Sequence, residues 1–179
     1  AATGTVTGIS PGTTVISYTM PSGCYSTFTI TVNPLAPILG NTTICLGNTS
    51  ALSCATPGGT WSSSNPGVAT VNPSTGFVTS VSVGVTTISY ITPLGCIGSV
   101  TFTVLAPPVA IAGPTSVCQG NTITLTNATP GGTWTSGSPS VATIGSLTGI
   151  VTGVTAGTTT IFYTLTGGCF AAAVITVSS

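Results

Sequence analysis

Six cysteines and four tyrosines are the only side chains of this 179-residue chain that can gain or lose a proton, because Asp, Glu, Lys, Arg and His are all absent. Their chemistry is narrow. General acid–base catalysis draws nearly always on His, Glu, Asp or Lys, and a serine nucleophile needs a base beside it. Hard cations take carboxylate oxygens, and a nucleic-acid backbone takes Lys and Arg. The composition therefore leads us to expect no enzyme, no catalytic residue, no metal or cofactor site and no nucleic-acid partner. Cross-linking is what remains for the thiols.

Cys45 and Cys96 lie 51 residues apart, and so do Cys118 and Cys169, at matching places in a sequence repeat. This spacing predicts two disulfides, Cys45–Cys96 and Cys118–Cys169, each closing a loop inside one repeat. The alternatives are a metal site, for which there is neither a C-x-x-C pair nor a histidine, and free thiols. Closing a 51-residue loop stabilises a unit by roughly 4 kcal/mol in the chain-entropy model. Cys24 is expected to be unpaired because its half-repeat lacks the segment that would carry a partner. Cys54, which aligns with Asn127, is expected to be a free, buried thiol. Disulfides place the chain outside the cytosol.

The repeat that matches the cysteines spans the whole chain. A shift of 73 residues lays Ile44–Thr49 on Val117–Thr122, and the block ATPGGTW at residues 55–61 recurs unchanged at 128–134. A shift of 72 does the same for the start, from Thr3-Gly4 on Thr75-Gly76 to Gly23-Cys24 on Gly95-Cys96. The chain thus reads as the C-terminal half of a unit (1–34) and two whole units (35–107 and 108–179), as a repeat architecture should be read before any fold is assigned. Pro-containing joints, Asn33-Pro34-Leu35-Ala36-Pro37 and Ala106-Pro107-Pro108, are stiff rather than flexible. They should hold successive units in an extended row.

Short β-branched runs alternate with Gly, Pro, Ser and Asn clusters, the pattern of a sandwich of short strands. Phe28, Ile30 and Val32 alternate with threonines, as do Val100, Phe102 and Val104, so one face is core and the other is threonine. The expected core comprises Trp61, Trp134, Tyr18, Tyr90, Tyr163, Ile88, Ile161, Leu52 and Leu125. Ile16 is placed inward with Tyr18. The tryptophans could instead stack on sugar rings, but their fixed place after Gly-Gly in each unit favours the core. Mean hydropathy is positive, yet no run approaches the roughly 18 apolar residues of a spanning helix, and no membrane span is expected. Residues 1–10 contain no basic stretch of the kind that opens a signal peptide, so the chain reads as mature protein or a piece of it.

Residues 58–90, GGTWSSSNPGVATVNPSTGFVTSVSVGVTTISY, resemble the bacterial Ig-like domain of the group-2 type, whose units combine W-x-S-S-N-P-x-V-A-T-V, T-G-x-V-T-G and a G-T-T-x-I-x-Y strand. The cysteine placement is similar to that in giant cell-surface adhesins and gliding filaments of Bacteroidetes-type bacteria. The resemblance implies an all-β fold of tandem Ig-like Greek-key sandwiches, used as an extracellular stalk or filament at the cell surface. The chain departs from the family pattern in carrying no charge, which leaves no carboxylate for a calcium-stiffened linker. Three functions follow: a structural segment of a long repeat protein, a polysaccharide- or surface-binding adhesin module, and a self-assembling fibre bundled through uncharged faces. The expected partners are further repeats of the same chain or other copies of it, and a glycan or cell-surface ligand. With the cysteines oxidised, stability should be nearly flat from about pH 3 to pH 9, because side chains that titrate in that window are missing.

Overall fold

The computed structural model describes residues 4–179; Thr3, which opens the first stretch of repeat similarity, lies outside them. The described residues form strands and turns with no helix. β1 (Gly12–Thr19) and β2 (Tyr25–Val32) make a two-stranded hairpin. A first sandwich follows, built from β3 (Ile38–Leu39), β4 (Thr43–Cys45), β5 (Thr49–Ala51), β6 (Ser53–Cys54), β7 (Thr60–Ser63), β8 (Ala69–Val71), β9 (Phe77–Ser80), β10 (Gly84–Ile91) and β11 (Ile97–Leu105). One of its sheets has the order β4-β11-β10-β7 and the other β5-β9-β8, with β3 and β6 forming a small ribbon.

The second sandwich repeats the plan with β12 (Ser116–Cys118), β13 (Thr122–Thr124), β14 (Gly132–Ser136), β15 (Ala142–Ile144), β16 (Ile150–Gly153), β17 (Gly157–Leu165) and β18 (Phe170–Ser178). Its sheets run β12-β18-β17-β14 and β13-β16-β15, and the ribbon shrinks to a bridge between Ala112 and Thr126. The fold is all-β and Ig-like, with two sandwiches in tandem. In each, the first strand of the larger sheet lies parallel to the last, β4 on β11 and β12 on β18, while the other pairings are antiparallel.

Alternating side chains explain the layers. Along β11, Phe102 and Val104 point into the core and Thr101 faces out. Along β10 and β17, Ile88 with Tyr90 and Ile161 with Tyr163 are buried. Leu52 and Leu125 close the same two cores. Trp61 and Trp134 are 5% and 6% exposed, each with its ring 4.7 Å from the tyrosine of the neighbouring strand, Tyr90 or Tyr163. Each of these tyrosine hydroxyls donates to a backbone carbonyl, Thr56 or Thr129, at 2.6 Å, and accepts from the N–H of Gly59 or Gly132 at 2.8 and 2.9 Å. A Cβ on either glycine would collide with the tyrosine ring, which accounts for the second glycine of the repeated GGTW. Thr86 and Thr159, though buried, are bonded to Asn65 and Ser138 N–H, as buried polar groups should be.

The hairpin β1–β2 shows how much of this depends on the rest of a unit. Its register, Ile16 opposite Phe28 and Gly12 opposite Val32, repeats that of β10–β11, Ile88 opposite Val100 and Gly84 opposite Val104. Yet Ile16 is 39% exposed and Tyr18 71% exposed. The placement of Tyr18 in the core is therefore corrected. Among the described residues no strand equivalent to β7 or β14 flanks β1, so neither a stacking tryptophan nor a carbonyl that holds the hydroxyl is placed beside Tyr18.

Candidate functional site

The junction between the two sandwiches carries the distinctive chemistry of the described residues. Cys45, at the end of β4, is joined by a disulfide to Cys169, at the tip of β17–β18, with Cα atoms 5.6 Å apart and 124 residues between them in sequence. Two local structures present the sulfurs. On the first sandwich, Leu46 N–H donates to the Leu105 carbonyl at 2.9 Å and Asn48 N–H to the Cys45 carbonyl at 3.0 Å, fixing the chain on either side of Cys45 against the end of β11. On the second, Leu165 N–H donates to the Cys169 carbonyl at 2.8 Å, and Gly168 N–H to the Leu165 carbonyl at 3.0 Å, closing a tight turn. Gly167 at that tip lies against Leu105, and a Cβ there would stand 2.7 Å from the leucine methyl. Cys169 is 1% exposed. Beside the bond lies an open, uncharged cleft of about 510 Å³ lined by Asn41, Thr43, Asn48, Gly167 and Gly168 among others.

The expected pairing within repeats, Cys45–Cys96 and Cys118–Cys169, is therefore corrected: Cys96 and Cys118 are free. The reason is the direction of β4. It runs parallel to β11, with Cys45 opposite Leu105, the last residue of that strand, whereas Cys96 immediately precedes Ile97, the first. Nine residues at about 3.3 Å each put the two cysteines more than about 25 Å apart, where a disulfide needs Cα atoms roughly 4.4–6.8 Å apart. Cys118 opposite Ser178 and Cys169 before Phe170 repeat the mismatch.

The other cysteines are free as well. Cys24 is exposed at the tip of β1–β2. Cys54 is half-buried rather than fully buried, and its thiol donates to the Ala36 carbonyl at 3.3 Å. Asn127, its equivalent, donates to the Val109 carbonyl at 2.7 Å. In both places the side chain ties down the incoming joint. Ala36 and Val109 N–H also donate to the hydroxyls of Thr56 and Thr129, at 3.1 and 3.0 Å. The two joints are thus bonded to the units that follow them, and the disulfide fastens the second unit back to the first. Among the described residues no group of three or more potential metal ligands occurs, and no helix is long and apolar enough to cross a membrane. Burial removes Trp61 and Trp134 as sugar-stacking platforms.

Residues 50–93 match the family model of the bacterial Ig-like domain (group 2). That stretch carries Trp61, Tyr90 and most of the first core. No curated protein matches the chain. Among solved structures, the C-terminal 282-residue fragment of intimin, in complex with the intimin-binding domain of the translocated intimin receptor, is similar at 18% identity with a TM-score of 0.51, over 80% of this chain. The likeness covers 64% of the intimin fragment. The S-layer protein SbsC (31–844) is similar at 17% identity and a TM-score of 0.40, over 98% of this chain and 36% of that one. A Bacteroides ovatus glucan-utilisation protein, SGBP-B in complex with a mixed-linkage heptasaccharide, follows at 16% identity and 0.30, over 95% and 54%. The intimin likeness speaks for the fold.

Proposed function

We propose that this chain is a tension-bearing structural segment of an extracellular bacterial stalk or filament, made of Ig-like units (35–107 and 108–179, preceded by half a unit) in tandem, with no catalytic role. The observation that carries this reading is the Cys45–Cys169 bond across the junction. A disulfide inside a unit protects that unit, whereas one between units fixes their relation and shortens the covalent path along the row. In the chain-entropy model a loop of this length contributes about 5 kcal/mol by restricting the denatured ensemble, an upper figure because the denatured chain keeps some structure. An uncharged surface offers salt and pH little to act on, which suits a structure outside the cell.

Pulling the oxidised chain from its two ends tests the reading. The segment between Cys45 and Cys169 should stay hidden from force, and adding a reductant should release about 400 Å of additional length, at roughly 3.3–3.6 Å per residue. Full extension with the bond intact would contradict the role.

A further inference from the structure

The outer faces of the two larger sheets differ in character, and three matching places decide it. Ser64, Ser89 and Thr101 occupy them in the first sandwich, and Gly137, Phe162 and Val174 in the second. Thr158, Thr160 and Phe162 alternate along β17 with the buried Thr159, Ile161 and Tyr163, so they point outward. Val174 stands opposite Thr160 on β18 and is 59% exposed. Phe162 is half-buried, its ring set edge-to-face on that of Phe170 with centroids 5.6 Å apart, an arrangement that aromatic pairs favour.

The change to glycine also frees a backbone donor. In the first sandwich Ser64 N–H donates to the Thr87 carbonyl at 2.9 Å, and Thr87 N–H donates back to the Ser64 hydroxyl at 3.0 Å. Gly137 N–H makes the first of these bonds, to the Thr160 carbonyl at 2.8 Å, but glycine has no hydroxyl for the second. Thr160 N–H lies on the same side of its strand as the Thr160 carbonyl and goes without that bond. It opens on a cleft of about 380 Å³ lined by Gly137, Ser138, Thr158, Thr160, Phe162 and Val174 among others. A Cβ on Gly137 would stand 3.4 Å from the Phe162 ring. A serine there would take the donor and fill the space beside the ring.

We infer that this cleft binds a neutral polysaccharide, with a sugar hydroxyl accepting from Thr160 N–H and the C–H face of the sugar lying on Phe162 and Val174. The site belongs to one unit and stands whether or not the row bears tension. A cleft of roughly 300–1,000 Å³ with an apolar wall and a few placed polar groups is the usual form of a small-ligand site. Here the wall is aromatic and aliphatic, and the polar groups are a backbone donor and the hydroxyls of Ser138, Thr158 and Thr160. The chain has no charge with which to hold an ionic ligand. A sugar presents an apolar C–H face rimmed by hydroxyls that donate and accept, which matches a ring beside threonines. An extended peptide would need a run of open strand edge, and β17 has only residues 157–160 beyond its pairing with β14. Val154 N–H, bonded to the Val141 carbonyl at 2.8 Å, closes the far end of that edge.

The test titrates the full 179-residue chain, labelled with nitrogen-15, with soluble neutral oligosaccharides of the glucan, mannan and galactan classes and follows the backbone amides by NMR. An alginate oligomer and a short Thr/Val peptide are run beside them. In the free chain Thr160 N–H should exchange with solvent faster than Thr87 N–H. At least one neutral sugar should shift the signals of Gly137, Thr160 and Val174 and leave that of Thr87 unmoved. Gly137→Ser should weaken this binding about tenfold or more, and Phe162→Ser should abolish it. Each installs the residue that the first sandwich carries at that place, and an unchanged Trp134 indole signal reports that the second core is intact. Equal protection of Thr160 and Thr87, no response to any of the three sugars, or shifts confined to other parts of the chain would overturn the inference. So would a response of these amides to alginate or peptide in place of sugar, or undiminished binding in the two variants.

Discussion

Hairpin β1–β2 and hairpin β17–β18 have the same length of turn, the same register and the same tyrosine, but Tyr18 is 71% exposed and Tyr163 5%. Alternation of Val, Ile and Thr is enough to make the ribbon. Burial requires the first half of a unit, which supplies a tryptophan-bearing strand beside the hairpin and a second sheet across from it. The comparison separates what a local pattern can do from what only assembly can do, since an isolated two-stranded ribbon is marginal in water.

Three measurements bear on that contrast. The largest effect belongs to the tryptophan that the half-unit lacks: Trp134→Ala should destabilise the second sandwich by about 3–5 kcal/mol, read as a shift of the urea midpoint. Next, Tyr163→Phe removes a hydroxyl that serves Thr129 and Gly132 and should cost about 1–3 kcal/mol by leaving buried backbone groups unpaired. The same change at Tyr18 should stay within about 0.5 kcal/mol; equal costs at the two sites would mean that the hairpin is covered in solution and that the comparison fails. The smallest effect is that of pH. The folded and unfolded chains bind the same number of protons wherever no side chain titrates, so the slope of stability with pH is zero there, and the urea midpoint should not move between about pH 4 and pH 7. A fall on acidification would contradict this.

Repetition and alternation made the sandwich legible. ATPGGTW at two places 73 residues apart located the buried tryptophans, and the spacing of Ile88 and Ile161 to the tyrosines two residues on located the facing strand. Two features were not legible for physical reasons. Tyr18 has sequence neighbours like those of Tyr90, but its burial is decided by strands beside the hairpin, and β1–β2 stands as a two-stranded sheet. The cysteine pairing was misplaced because the equal 51-residue spacing in the two repeats suggests closure within a unit, whereas Cys45 closes on Cys169, 124 residues away. The parallel placement of β4 against the far end of β11 settles the choice by distance. That placement is a property of sheet topology, and nothing in the residues around Cys45 announces it.

The central claim is that sulfur chemistry joins units rather than closing them. Mapping the disulfides of the oxidised chain by mass spectrometry of non-reduced peptic or chymotryptic peptides tests it most directly, the chain offering trypsin no Lys or Arg. The account predicts a peptide pair joining Cys45 to Cys169, with Cys96 recovered as an alkylated thiol. Peptide pairs joining Cys45 to Cys96 and Cys118 to Cys169 would contradict it.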